Sequence, residues 1–104
     1  MMTPAERFAD MAVEHADVDP EAIKVNDNGI VCPMLFGKGE KPFSLSIIAS
    51  GRELDMYADK QALESLFLSR LRSALRVAVA HEGETGVTEA DMKAMLKKAQ
   101  AAIQ

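Results

Sequence analysis

Residues 43–57, FSLSIIASGRELDMY, carry the reading on which the fold turns. Phe43, Leu45, Ile47 and Ala49 alternate with Ser44, Ser46 and Ile48, the two-residue period of a strand with one face buried. Ser50-Gly51-Arg52 reads as a turn, and Glu53-Leu54-Asp55-Met56-Tyr57 alternates again. The stretch therefore predicts two antiparallel strands.

Upstream, Ala22-Ile23-Lys24-Val25 is short and β-prone, Asn26-Asp27-Asn28-Gly29 is turn-forming, and Ile30–Phe36 is a further strand. This last strand has an unusual pattern. A half-exposed strand should alternate, yet Val31 and Leu35, with Pro33 between them, are as water-averse as Ile30, Cys32, Met34 and Phe36 on the other side. Both of its faces call for cover. Pro33 cannot donate a ladder hydrogen bond, which biases the strand towards a sheet edge or a bulge. Gly37–Pro42, GKGEKP, is a flexible hairpin tip: it lacks the Gly-Lys-Ser/Thr ending of a phosphate loop.

Helices flank this β region. Thr3-Pro4-Ala5-Glu6 combines an N-cap, a proline at the first helical position and a capping-box glutamate, and starts a helix running to about Ala16. Asp59 caps a second helix, about Lys60 to His81, with Leu63, Phe67, Leu71, Ala74, Leu75 and Ala78 on one arc and Arg70 at its edge. After a loop, Thr88 and Asp91 form an imperfect capping box, and Val87 is placed to staple against Met92. Met92, Met95, Leu96, Ala99 and Ile103 make a narrow stripe on this third helix, suited to lying on a surface.

The expected fold is thus a single α+β domain over residues 1–104, in the order α-β-β-β-β-α-α: a four-stranded antiparallel meander with two helices on one face. The third helix would cover the other face or reach to a partner. The helix, sheet, helix order is similar to that of several small secretion-chaperone and adaptor folds, a likeness of architecture that says little about function.

Composition narrows the function classes. The chain has 48% hydrophobic and 27% charged residues, values of a globular protein. No apolar run is long enough for a membrane span, and MMTPAERFAD lacks the pattern of a signal peptide, which points to the cytoplasm and no membrane partner. A lone cysteine excludes an internal disulfide and the paired-cysteine zinc motifs. The net charge is −4, and residues 1–27 hold seven acids against Arg7 and Lys24. An acidic first quarter disfavours a phosphate-binding face there.

Candidate chemistry is sparse. Cys32, mid-strand between Val31 and Pro33, reads as a buried small hydrophobe rather than a nucleophile or a haem ligand. His15 and His81 stand at helix C-termini, where the helix dipole favours a cation. Asp17-Val18-Asp19-Pro20-Glu21 resembles the start of a calcium loop, but Ala22 replaces the required glycine and Asn28 the final glutamate. No catalytic residue, metal ligand or cofactor is therefore assigned.

Arg70, Arg72 and Arg76 form the one arginine cluster, a candidate contact for an anion or an acidic partner. The favoured expectation is a small acidic adaptor, chaperone-like or regulatory protein that is not an enzyme. It would hold another protein, a second copy of itself included, through Val31, Pro33, Leu35 and Ile48 of the sheet and Met92, Met95, Leu96 and Ile103 of the last helix. The alternative is a nucleic-acid-associated regulator using Arg70, Arg72, Arg76, Lys93, Lys97 and Lys98, and a Cys/His enzyme ranks third.

Overall fold

A computed structural model describes residues 2–37 and 41–103. The tip of the predicted GKGEKP loop, Lys38–Glu40, lies outside the described residues.

Helix α1 (Pro4–Ala16) opens with the expected capping box: Thr3 Oγ1 accepts from Glu6 N at 3.1 Å, and the Glu6 carboxylate accepts from Thr3 N at 3.1 Å. It closes at Asp17, whose left-handed backbone (φ 55°) ends the helix. Asp19 then caps a single 3₁₀ turn, Pro20–Ala22, which displaces the first strand two residues beyond its expected start. That strand, β1 (Lys24–Asn26), turns tightly into β2 (Gly29–Phe36), which pairs in turn with β3 (Phe43–Ser50).

The sheet has three antiparallel strands in the order β1-β2-β3, which overturns the expected four-stranded meander. The predicted fourth strand, Glu53–Tyr57, is a helix, α2 (Gly51–Met56). The cause is local. Ser50 Oγ accepts from Glu53 N at 3.1 Å while Glu53 Oε1 accepts from Ser50 N at 3.0 Å, so Ser50-Gly51-Arg52-Glu53 is a capping box, not a turn. Helices α3 (Lys60–Ala80), α4 (Glu82–Thr85) and α5 (Glu89–Ile103) complete the order α-β-β-β-α-α-α-α, replacing α-β-β-β-β-α-α.

The core lies between the inner sheet face and α1 and α3. Ile30, Cys32, Met34, Ile47 and Ala49 of the sheet join Phe8, Ala12, Leu63, Phe67, Leu71 and Leu75 in one buried cluster. Phe8 and Phe67 meet edge to face, with ring centroids 5.5 Å apart. At the far end of α3, the buried Thr85 hydroxyl donates to Ala78 O at 2.7 Å and accepts from Val87 N at 3.1 Å. This satisfied polar link and the left-handed Gly86 turn the chain back, so that α5 runs along α3. Met92, Leu96 and Ala99 are buried there, and the Thr88–Asp91 capping box forms in full.

Candidate functional site

The register fixes what each strand residue faces. Ile30, Cys32 and Met34 stand opposite Ala49, Ile47 and Leu45 on the inner face, whereas Val31, Pro33 and Leu35 stand opposite Ile48, Ser46 and Ser44 on the outer face. The structure thus brings four of the expected site residues, Val31, Pro33, Leu35 and Ile48, onto one surface. That surface is open: Leu35 is 67% exposed, Ile48 50% and Val31 39%. The expected cover by the last helix does not occur, because α5 packs on α3, behind the inner face. On β-sheet spacings the aliphatic patch spans roughly 13 Å along β2 and about 5 Å across to β3. Lys24, Ser44 and Ser46 give it a polar rim. A hollow of about 270 Å³ beside Val31 and Ile48 reaches to Asn28 and Glu53.

The other half of the expected surface is used within the chain. Met92 and Leu96 are buried in the core cluster, and Met95 and Ile103 are half-buried against it. Their narrow stripe lies on α3 and is separate from the outer sheet face.

One backbone bond settles the hydrogen-bonding phase of the sheet. Gly51 N donates to Asn28 O at 2.9 Å, one step beyond the Gly29–Ser50 pair. Antiparallel ladders alternate between pairs that exchange bonds and pairs that do not. Hence Ile30–Ala49, Cys32–Ile47 and Met34–Leu45 exchange bonds, while Val31–Ile48, Pro33–Ser46 and Leu35–Ser44 point their backbone groups outward. Pro33 therefore lacks its N–H on the side away from β3, in the part of β2 that three-residue β1 does not reach. From Cys32 onward β2 is an edge, as its proline suggested, although it is central over Gly29–Val31.

The arginine cluster divides. Arg70 forms an ion pair and hydrogen bond with Glu53, tying α3 to the capping residue of α2. Donation from Ser50 N, and then the Arg70 charge, hold the Glu53 carboxyl below the ordinary glutamate range. Arg70 is thus a tether between two helices, not a free anion contact. Arg72 and Arg76 are exposed, and Arg72 lines a shallow groove between α3 and α5 with Ser65, Ser69 and Gln100. Lys93 pairs with Glu89 at 3.8 Å. Of the six basic residues considered for nucleic acid, two are thus engaged with acids of the chain itself.

Cys32 is fully buried, and burial pushes its thiol pKa up to about 11. The two histidines are also engaged in packing and local contacts. His15 is inclined against the Phe67 ring at 6.3 Å, while His81 lies over Phe43 at 4.9 Å with Nδ1 3.1 Å from Glu84 Oε2. Among the described residues no group of three or more His, Cys, Asp or Glu side chains gathers to hold a metal ion. Nor is any described helix long and apolar enough to cross a membrane.

Against this geometry, comparison with known proteins returns no match to any family, curated protein or solved structure.

Proposed function

We propose that this chain is a protein-interaction protein whose docking surface is the outer face of its sheet. The observation that carries the reading is the exposure of Val31, Leu35 and Ile48 on one face of a sheet whose other face carries the core residues Ile30, Cys32, Met34, Ile47 and Ala49. Apolar side chains held side by side on a rigid surface, with a polar rim, have the anatomy of an interface centre. A partner covering them gains about 25 cal/mol for each Å² of apolar surface removed from water. The arrangement supports an adaptor, chaperone-like or regulatory role in the coarse sense that the chain holds another protein.

The test compares affinity capture from the chain's own host by the native protein, by Leu35→Glu and by Arg76→Glu. A partner retained by native protein and by Arg76→Glu, and lost with Leu35→Glu, supports the proposal. A partner lost only with Arg76→Glu moves the function to the basic surface of α3. Both positions are exposed, so circular dichroism should show an unchanged fold for each variant.

A further inference from the structure

We infer that β3 pairs edge to edge with β3 of a second copy, joining two three-stranded sheets into one six-stranded sheet. The inference starts from the hydrogen-bonding phase above. Ser44, Ser46 and Ile48 direct their N–H and C=O groups away from β2, and no strand of the described residues lies on that side. Ser50, next in the same phase, shows the direction independently, since its N–H is taken by the Glu53 carboxylate rather than by β2.

Open edges are normally guarded by charge, proline or a bulge. The eight residues of β3 contain no charged residue, no proline and no glycine, and its register with β2 runs without interruption. The opposite side of the sheet is guarded, by the short β1 and by Pro33.

Several features select a second copy as the occupant. Pairing about a two-fold axis sets residues near the axis against themselves, so a charge there would meet its own kind, and β3 carries none. Residues opposite each other in an antiparallel pair share a face, which admits an axis through a residue but not between two. Placing it at Ser46 sets Ser44 opposite Ile48 of the other copy, and all three outward-pointing residues then exchange bonds. The same register sets Leu45 against Ile47 and Phe43 against Ala49 on the inner face. Phe43 and Leu45 are only half-buried in the single chain, so this gives them apolar neighbours. The pairing uses the strand edge and leaves Val31 and Leu35 open, so it stands or falls separately from the docking proposal.

Light scattering coupled to size exclusion, across a concentration series, tests the association. The expected mass is twice the 11.3 kDa of one chain, falling to the single-chain mass in Ser46→Lys, which sets two lysines against each other on the axis. Leu35→Glu should keep the doubled mass. Register is tested by oxidation with copper phenanthroline. Paired residues in a bond-exchanging pair have Cα atoms about 5.5 Å apart, within disulfide range, so Ser46→Cys should cross-link into dimers. Ser44→Cys, offset by four residues from its own copy and so roughly 13 Å away, should not. A native protein of single-chain mass throughout overturns the inference, as does a dimer that survives Ser46→Lys and fails to cross-link through Ser46→Cys.

Discussion

Among the described glycines, Gly29 is the one with least room for a side chain. Its φ is 137°, and a Cβ would stand 2.1 Å from Ala49 O, so any side chain must push β2 and β3 apart just where the sheet meets α2. Gly29→Ala is expected to lose at least about 2 kcal/mol in urea unfolding, with the midpoint lowered and the fold otherwise kept. Cys32 presents the opposite case, a residue whose chemistry is suppressed by its surroundings. With its side chain buried and its thiol pKa raised to about 11, it should ignore thiol reagents near neutral pH and react once the chain is denatured. Native-state labelling at the denatured rate would return Cys32 to the list of reactive groups. Its burial was legible in the sequence, since alternation set it among Ile30, Met34 and Phe36. The Arg70–Glu53 pair was not, because its partners are 17 residues apart and only the placement of α2 beside α3 brings them together.

Among the elements, α2 is the one that sequence alternation misassigned. Leu54 and Met56 fit a strand period, but over five residues alternation discriminates poorly, and the Ser50–Glu53 box supplies a local hydrogen-bond set that a strand lacks. The same signal was read correctly at Thr3–Glu6 and Thr88–Asp91, where a long helical period follows it. Removing the cap with Ser50→Ala should cost about 1 kcal/mol of stability. Acid should act through the partner carboxylate. Glu53 has a lowered pKa when folded, so its contribution is complete above the ordinary glutamate range and is lost as pH falls through the depressed value. The thermal midpoint of the native protein should therefore drop towards that of Glu53→Gln on acidification. A gap between the two that stays constant down to pH 2 would contradict the assignment. Capping carboxylates Glu6 and Asp91 are lowered in the same direction, each first by the backbone N–H of its capping threonine, and add to the acid sensitivity.

On the scale of the whole molecule, the described residues leave the outer sheet face and the unguarded edge of β3 without partners. The apolar residues of that face were visible in the sequence as a break in alternation at Val31, Pro33 and Leu35. Which element covers them was not, because the stripe on α5 fits a helix as well as a sheet, and only the Thr85–Gly86 turn commits it to α3. The edge of β3 was hidden by the expected fourth strand, although its lack of charge was there to be read. The openness of the outer face is the premise on which the docking proposal rests, and Cys32 supplies a built-in reference for measuring it. In Leu35→Cys, a thiol reagent should titrate one equivalent rapidly in the native protein, and a second, Cys32, only after denaturation. No native equivalent would mean that the outer face is already covered, and would contradict the account.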